Sequence, residues 1–481
     1  MERMLTGLET EYGLYIEGRG AKTQVEDSMA VVRSYPGDRR VVWDYRHESP
    51  RNDLRGFSVS HLTVDPEDAH FDEGKSYGPS EEVRSDVILP NGARFYNDHG
   101  HPEYSTPECF SLADLAAHDV HGERVVLKAA AAYAQQENVA VRVYKNNTDY
   151  HGASYGSHES YLVPRAWGFD RLYAALTPLL VTRPIVCGAG KVGFEHGKAC
   201  NFQISQRADF FSERASVDTL FRRPIFNTRD EPHADPTRFA RVHVIASDAN
   251  MIPAATARKV GLVRIALALE AIGQVPRWEL ADPVKSYEEV SKDERYTFPV
   301  PLAGRSWTTA YDVIESYLAA AEATLELDSE LITIIQETRF LLTHLPADPD
   351  RCAPHLDWLA KRNMLESIMA DADLDWNAPE LRSYDLEYHN VDREDGLYFA
   401  LRDMGQIDAV ELPIPSAPPT RAAVRGAALR YPELKRACWR SLTFVIDGKT
   451  QEVELQPDIK YEDVPTDADV VTFIRWIESQ A

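Results

Sequence analysis

The chain has 481 residues, of which 44% are hydrophobic and 27% are charged, and its formal net charge is −24. Such a composition predicts a soluble globular protein with one large domain and one smaller domain. The acidic net charge argues against nucleic acid as a partner, because phosphate binding needs a basic surface. The sequence contains no apolar run of about 18 residues, so no membrane span is predicted.

The first predicted strand is TGLETEYGLYI, residues 6–16. Because successive side chains of a strand point to opposite faces, Glu9 and Glu11 should lie on the same face. A polar stretch at about 18–85 follows and predicts a long loop, whose acidic part is 65–82. Loops of this length in compact domains are usually functional or disordered, and the aromatic residues in the first part argue against disorder there.

The next predicted strand, VILPNGARFYND at 87–98, places Arg94, Tyr96 and Asp98 on one face by the same alternation. A Ser-x-x-Asp start then predicts a helix over 112–136. Later strands are predicted at 139–147, 157–163, 184–188, 201–206 and 241–248.

Two of these later strands carry polar side chains on one face. Alternation places His158 beside Ser160, and Arg241 beside His243 and Ile245. After about residue 250 the apolar spacing becomes that of helices. Helices are predicted at 254–273, 310–327 and 329–345.

A proline-rich joint, ELPIPSAPPT at 411–420, predicts a domain boundary. We expect a large domain at 1–410, which includes the part of the polar loop at about 37–82, and a small C-terminal α/β domain at 421–481. The fold class that follows is α+β.

The small domain is predicted to contain a hairpin at 441–456 and a final helix at 467–479. The hairpin turn is Asp447-Gly448, a dipeptide typical of two-residue turns. Five cysteines occur and none forms a CxxC pair, which predicts reduced thiols and a cytoplasmic protein. The N-terminus lacks a basic start followed by an apolar stretch, so no signal peptide is predicted.

One tempting motif is GAGKVG at 188–193, which fits the GxGxxG pattern of dinucleotide-binding loops. Such a loop needs a helix to open directly after it, whereas the following residues alternate as in a strand. No GxxxxGK[ST] sequence occurs either, so an ATP site in this chain would not be a P-loop.

The stretch NDHGHPEYSTPE at 97–108 is dense in acidic residues and histidines. Acidic and histidine side chains also recur on or beside the predicted strands: Glu9, Glu11, Asp98, Glu103, Glu108, His158 and His243. Taken singly, each is most simply a surface acid or a core histidine. Together, carboxylates side by side on a strand face repel unless a cation or proton separates them. Oxygen-rich ligands with some imidazole favour Mg²⁺ or Mn²⁺ over zinc, and Asp98 is a candidate nucleophile or base.

Several ordered blocks between residue 7 and about residue 440 resemble the Pup ligase and Pup deamidase/depupylase family. The blocks are GLETEYG, NGARFYNDHGHPEYSTPE, YKNNTDYHGASYGSHESYLV, ISQRADFF, RPIFNTRDEPHAD, HVIASDANM and APPTRAAVRG. This resemblance implies a fold like glutamine synthetase, a cradle of mostly antiparallel strands packed by helices. It also implies ATP, or ADP plus phosphate, with two or more Mg²⁺ ions as cofactors. The implied partners are Pup or a Pup-like modifier and pupylated proteins.

Three features resemble the depupylase arm of the family more than the ligase arm. The segment RRVVWDYRHESPRNDLRGF at 39–57 resembles the long insertion of depupylases. Asp98 precedes Glu103 by five residues, as in depupylases, whereas the ligase pattern has one residue more. The stretches YHGASYGSHESY and GKACNFQISQRADFF are also closer to the depupylase form.

The resemblance further implies roles for individual residues. One Mg²⁺ would be bound by Glu9, Tyr96 and Glu103, and a second by Glu11, His158 and His243. Nucleotide contacts are implied for Arg94, Thr106 and Trp439, and Asp98 matches the essential aspartate. Contacts with phosphate or the Pup carboxyl terminus are implied for Arg207, Arg223 and Arg229.

The chain departs from the family pattern at Asn97, Gly100 and Ser160, which suggests a divergent member that acts on a Pup-like modifier. The implied activity is an ATP-dependent amidohydrolase that deamidates Pup and removes it from lysines. The alternatives are a Pup ligase and a catalytically silent Pup-binding adaptor. The intact acidic set, with Asp98 among it, argues against the adaptor.

Overall fold

A computed structural model describes residues 4–37, 40–62, 84–150, 152, 154–408 and 410–480. The strands, β1 to β20 in chain order, are Thr6–Glu11, Gly13–Ile16, Val42–Trp43, Asn52–Asp53, Phe57–Ser58, Val87–Ile88, Arg94–Asp98, His101–Ser105, Val141–Tyr144, Ser157–Pro164, Lys191–Val192, Phe202–Gln203, Phe211–Ser216, Arg223–Asn227, Phe239–Val244, Pro299–Pro301, Trp307–Thr309, Leu434–Ala437, Ser441–Ile446 and Lys449–Glu454.

The α-helices, α1 to α13, are Gln24–Ser34, Leu112–Glu137, Gly168–Thr182, Pro184–Cys187, Pro253–Ala271, Pro283–Ser291, Ala310–Thr324, Ser329–His344, Asp357–Ala372, Glu380–Tyr388, Leu397–Asp403, Arg421–Ala428 and Val470–Ser479. Within the described ranges, no helix is both long and apolar enough to cross a membrane.

An eight-stranded sheet forms the centre of the described chain, in the order β13-β14-β15-β10-β1-β8-β7-β6. Its neighbouring strands are antiparallel except for β13 and β14, which are parallel. One face carries Leu8, Tyr161 and Val242, which join the main hydrophobic core with residues of α3, α5, α7 and α8. The predicted α+β class, with a mostly antiparallel sheet packed by helices, is confirmed.

Three local predictions are wrong. The stretch 6–16 forms two strands in different sheets, because the chain leaves the large sheet at Tyr12 and β2 pairs with β9. Helix α1 lies within the stretch predicted as a loop. The segment predicted as a strand at 184–188 begins helix α4 with a proline, whose fixed φ suits the first turn of a helix.

Other local predictions are confirmed. Ser111 caps α2, and its hydroxyl accepts a hydrogen bond from the Asp114 amide at 3.1 Å. No helix opens after GAGKVG, where β11 pairs instead with β12. The Asp447-Gly448 turn has the two positive φ angles, 50° and 77°, of a type I′ hairpin. The predicted acidic loop at 65–82 lies outside the described residues.

The C-terminal part contains a second sheet, in the order β20-β19-β18-β3. Strand β3 comes from the start of the 37–82 insertion and runs parallel to β18. Its Trp43 is buried in a core with Phe444 and Phe473 from the C-terminal part. The first strand of the insertion is thus built into the C-terminal sheet, and the division at 411–420 stays a prediction.

A buried ion-pair cluster joins the end of the large sheet to helix α12. The Glu108 carboxylate accepts hydrogen bonds from Arg425 at 2.5 and 3.3 Å, and Arg421 lies 3.0 Å away. Arg425 also donates to the Gly92 carbonyl at 2.8 Å. Burial alone raises the pKa of Glu108, but the charges of Arg425 and Arg421 outweigh it and hold this pKa below its ordinary value.

We predict that Glu108→Gln lowers the free energy of unfolding by about 3–5 kcal/mol, because it leaves two buried guanidinium groups without their carboxylate. The folded-state pKa of Glu108 is depressed. Its contribution is therefore complete above the ordinary glutamate pKa and is lost as the pH falls through the folded value. Urea unfolding at neutral and acidic pH should show the smallest difference between variant and wild type at the lowest pH.

The control is Glu394→Gln, whose side chain is exposed and which should unfold like the wild type at every pH. A Glu108→Gln variant as stable as this control at neutral pH would contradict the role assigned to the cluster.

Candidate active site

The second face of the large sheet carries the polar side chains that the sequence placed on strand faces. Strand pairing sets Tyr96 opposite Glu103, and Glu103 opposite Glu11. In the next row, Glu9 is opposite both Ser105 and His158. Residues directly opposite each other in neighbouring strands share a face, so the register alone gathers these side chains into two adjacent rows.

The first cluster consists of Glu9, His158 and His243. The Glu9 Oε2 atom lies 3.6 Å from His158 Nδ1 and 3.6 Å from His243 Nε2, and the two rings are 5.1 Å apart. Arg241 lies 3.5 Å from the other Glu9 oxygen. Burial raises the pKa of Glu9, but its contacts with the two histidines and the charge of Arg241 bring it well below the ordinary value.

The second cluster consists of Glu11, Asp98 and Glu103, each of which offers a carboxylate oxygen within 4.8 Å of the others. The Tyr96 hydroxyl donates a hydrogen bond to Glu103. Burial and then the negative charges of Asp98, Glu9 and Glu11 raise the pKa of Glu103 well above its ordinary value. The described residues around this cluster therefore do not neutralise all of its negative charge.

Asp98 lies at the end of β7, just before a two-residue turn. His99 and Gly100 form this turn with φ angles of 46° and 93°, and the register pairs Asp98 with His101. Arg84 donates a hydrogen bond to Asp98 Oδ1, and His99 Nδ1 lies 3.1 Å from the same oxygen. Burial opposes ionisation, but Arg84 and then His99 bring the pKa of Asp98 far below its ordinary value.

A backbone amide of the loop before β10 donates a hydrogen bond to Glu11. The Gly156 amide donates to Glu11 Oε1 at 2.9 Å, and His101 Nδ1 lies 3.5 Å from Glu11 Oε2. The His101 ring stacks on Tyr155 with centroids 4.2 Å apart. Burial lowers the pKa of His101 and so favours the neutral imidazole beside Glu11.

The side chains group differently from the ligand sets that the family resemblance implies, and those sets stay predictions. Both histidines contact Glu9, whereas the resemblance groups them with Glu11. The reason is the register, because His158 lies directly opposite Glu9 on the neighbouring strand. Tyr96 and Glu103 meet as predicted, but they do so in the cluster that contains Asp98.

A pocket borders the first cluster and contains two residues predicted to contact nucleotide, Thr106 and Trp439, with Glu9 in the same lining. The other lining residues are Leu5, Thr6, Gly7, Leu8, Ser105, Glu108, Ser160, Tyr161, Leu162, Pro232, His233, Arg241 and Arg421. The Thr106 hydroxyl accepts a hydrogen bond from the Leu8 amide at 3.0 Å. The pocket thus combines apolar and aromatic surface with two arginines beside a carboxylate–histidine cluster.

Arg94 does not line this pocket. Its Nε donates to Asp86 at 2.6 Å, and its guanidinium lies 4.3 Å from the Trp43 ring centroid and 3.9 Å from that of Tyr96. Tyr45 accepts another of its hydrogen bonds at 2.9 Å. In this arrangement Arg94 fastens the start of the insertion to β7, and its predicted nucleotide contact stays a prediction.

The three predicted anion-binding arginines lie at two places. Arg207 and Arg223 meet at Ser154: Arg207 Nε donates to the hydroxyl at 3.2 Å and Arg223 donates to the carbonyl at 2.6 Å. Arg229 donates to Thr219 at 3.0 Å. Its Nε is buried without a hydrogen-bond partner in the described chain, and burial lowers its pKa.

Four residues that adjoin these clusters and the pocket were not assigned a role from the sequence. Arg241 was placed on the His243 face without a role, and His233 and Arg421 stood in the blocks that carried the family resemblance. Arg84 gave no signal, because it is 14 residues before Asp98 and no local pattern links them.

The sequence profile of the family described as Pup-ligase protein matches residues 4–443. A protein of Acidothermus cellulolyticus named Depupylase is 37% identical over 472 residues, which cover 93% of this chain and 92% of that protein. A Pup–protein ligase of Renibacterium salmoninarum is 38% identical over 447 residues, 89% of this chain and 87% of its own length.

Two solved structures are also similar. The complex of Pup with its ligase PafA matches with a TM-score of 0.76 and 27% identity, and covers 100% of this chain and 93% of that one. The Pup ligase PafA in complex with ADP matches with a TM-score of 0.71 and 29% identity, over 88% and 96% of the two chains. The likeness extends over both the large sheet and the C-terminal part.

We predict that Gly100→Ala destabilises the protein by about 1 kcal/mol or more, because φ is positive at this position. The added Cβ would also meet the Gln24 side chain at 3.1 Å. Gly405→Ala is the matched control, since φ is 73° there and no atom lies within 4 Å of the new Cβ. Urea unfolding should show a larger loss for Gly100→Ala; equal losses would contradict the close packing of this turn on α1.

Proposed function

The chain belongs to the Pup-ligase protein family, and on that premise we propose that it is an ATP-dependent hydrolase that removes Pup, or a Pup-like modifier, from proteins. The same site would hydrolyse the side-chain amide of a C-terminal glutamine in the free modifier. Both substrates are amides of a glutamyl side chain, so one carbonyl site serves both. Five free cysteines suit the reducing cytoplasm, where we place the reaction.

The observation that carries this proposal is the position of Asp98. Its carboxylate lies at the end of a strand, within 4.8 Å of oxygens of Glu11 and Glu103, and it is kept ionised by Arg84 and His99. An ionised carboxylate beside a cation-binding cluster can attack a carbonyl carbon or take a proton from water.

The described residues fit divalent cations. Three carboxylates of one cluster converge, and burial with mutual repulsion raises the pKa of Glu103. In the other cluster, His243 Nε2 is buried, has no hydrogen-bond partner in the described chain and faces Glu9. Oxygen-rich sites with some imidazole suit Mg²⁺ or Mn²⁺. Such ions, when bound, neutralise the carboxylates and polarise phosphate or carbonyl oxygens.

The pocket around Thr106 and Trp439 is the proposed nucleotide site. A similar ligase structure contains ADP, and the pocket here offers aromatic surface together with Arg241 and Arg421. Glu9 lines both the pocket and the first cluster, so phosphates in the pocket would adjoin the proposed cation. Arg207, Arg223 and Arg229 are the proposed contacts for phosphate or the carboxyl terminus of the modifier.

The proposed reaction consumes one water for each amide. In one route Asp98 attacks the carbonyl carbon, the C–N bond breaks, the amine leaves with a proton taken from water, and the resulting hydroxide cleaves the aspartyl anhydride. In the other route Asp98 takes a proton from water while the hydroxide attacks the carbonyl carbon, and Asp98 then gives that proton to the leaving amine as the C–N bond breaks. Both routes leave a glutamate carboxylate on the modifier and release ammonia or the lysine amine.

A ligase is the second candidate, supported by the 38% identical Pup–protein ligase. The turn after Asp98 favours the hydrolase. Two residues, His99 and Gly100, connect the paired residues Asp98 and His101. The extra residue of the ligase pattern would need a longer turn and would shift the aspartate relative to Glu103.

Three incubations with Mg-ATP separate the candidates: a pupylated protein, Pup with a C-terminal glutamine, and Pup with a C-terminal glutamate plus an acceptor protein. Release of the acceptor from the conjugate, or of ammonia, supports the hydrolase. New conjugates without release would overturn it in favour of the ligase. Binding without any turnover would favour the adaptor.

We predict that Asp98→Asn lowers the rate of acceptor release by about 10²- to 10⁴-fold, because the amide is neither a nucleophile nor a base. ATP binding should be retained, since Asp98 does not line the nucleotide pocket. Asp395→Asn, an exposed aspartate distant in sequence, is the control. Wild-type turnover in Asp98→Asn would disprove its assignment.

We predict that millimolar Mg²⁺ or Mn²⁺ raises the melting temperature of the wild type, because a ligand at 100 times its Kd stabilises by about 2.7 kcal/mol. The shift should be reduced in Glu103→Gln and retained in Glu394→Gln. An equal shift in both variants, measured by scanning calorimetry, would exclude Glu103 as a cation ligand.

A further inference from the structure

Arg84 contacts the proposed catalytic aspartate from outside the rows of polar side chains. It precedes β6, and its Nη1 atom donates a hydrogen bond to Asp98 Oδ1. Its guanidinium carbon lies 5.5 Å from the Tyr96 ring centroid, so the cation rests over the neighbouring side chain of β7. The Arg84 and Asp98 side chains are 31% and 20% exposed, so their contact borders solvent but is largely enclosed.

In the described part of the chain, the hydrogen bonds to Asp98 go to one of its two oxygens. Arg84 and His99 both bond to Oδ1, the latter through Nδ1 at 3.1 Å. When hydrogen bonds engage one oxygen of a carboxylate, the lone pairs of the other oxygen stay available for attack or for proton transfer. In either route described above, the reacting oxygen is therefore Oδ2.

Arg84 is the described arginine that forms an ion pair with Asp98, whereas Arg229 adds only a coulombic interaction. Oxygens of Glu11 and Glu103 lie within 4.8 Å of the Asp98 carboxylate, and like charges at this distance would turn it away. Arg94, on the same strand, is engaged by Asp86 at 2.6 Å. Arg241 faces Glu9 and Glu231 at 3.5 and 3.6 Å. Removal of Arg84 therefore leaves Asp98 without a hydrogen-bonded guanidinium in the described part of the chain.

We propose that Arg84 is a positioning residue, whose guanidinium fixes Oδ1 of Asp98 and so aims Oδ2 at the amide carbonyl of the modifier. This inference rests on the proposed role of Asp98. Misplacement of a reacting group by about 1 Å can cost roughly 10²-fold in rate. Loss of Arg84 should thus slow the chemical step and leave substrate binding nearly unchanged.

The test compares Arg84→Gln, Arg84→Lys and a control, Arg51→Gln, with the wild type in acceptor release at saturating Mg²⁺. Arg51 belongs to the insertion at 37–82, and its described hydrogen bond goes to the Ser60 carbonyl. We expect Arg84→Gln to lower kcat by about 10- to 100-fold, with KM for the conjugate and for ATP within about twofold of the wild type. Arg84→Lys should recover part of the loss, because lysine supplies the charge without the planar fork.

Two further measurements distinguish positioning from a general structural effect. Millimolar guanidinium chloride should raise the rate of Arg84→Gln and leave Asp98→Asn unchanged. Arg84→Gln should also slow the reaction much less in an Asp98→Asn background than in the wild type, because coupled residues are not additive. Melting temperatures of all variants check that each one is folded.

Three outcomes would overturn the inference. A kcat of Arg84→Gln equal to or above the wild-type value would make Arg84 a spectator or a brake. A change in KM alone would make it a binding residue. Additive effects of Arg84→Gln and Asp98→Asn would show that they act separately. If Asp98→Asn itself stays active, or the wild type releases nothing, the proposed function fails first and the positioning role falls with it.

Discussion

The repulsion among carboxylates on one face of the large sheet is the constraint on which the rest of the site depends. The register places Glu9, Glu11 and Glu103 in neighbouring rows, with Asp98 at their edge. Negative charges this close are stable only when cations or hydrogen-bond donors face them. The surroundings supply both, through the histidines beside Glu9, the Gly156 amide at Glu11 and the guanidinium at Asp98. The remaining negative charge is what makes the second cluster suited to divalent ions.

Distant parts of the chain complete the site through a few buried contacts. Glu108, at the end of the hairpin that carries Glu103, is bound by two arginines of α12. Trp43 from the insertion packs edge-on against Trp439 with ring centroids 5.0 Å apart, and Trp439 lines the proposed nucleotide pocket. The pocket is lined by the sheet and the C-terminal part, and the insertion supports it through the contact of Trp43 with Trp439. Its stability and its ligand affinity are therefore linked.

The family resemblance assigns the one-residue difference between the hydrolase and ligase patterns to the turn after Asp98. A two-residue hairpin of type I′ has positive φ at both positions, and glycine meets this requirement at the second. Gly100, which stands out against the family pattern, is therefore suited to its place. The shorter turn fixes how far Asp98 lies from the cation-binding rows, so a difference of one residue in sequence becomes a difference in geometry at the reacting oxygen.

The sequence alone determined the strand faces and the main helices, because side-chain alternation and capping are local properties. It placed Glu9 with Glu11 and Tyr96 with Asp98 correctly, and its long blocks of resemblance identified the family. Local pattern did not give the grouping of the histidines with Glu9 or the contact of Arg84 with Asp98. Nor did it give the use of the insertion as a strand of the C-terminal sheet. These features depend on strand order, register and docking between residues up to about 400 positions apart, and only the tertiary structure decides them, because the free energy of such contacts is gained only when the whole sheet has formed.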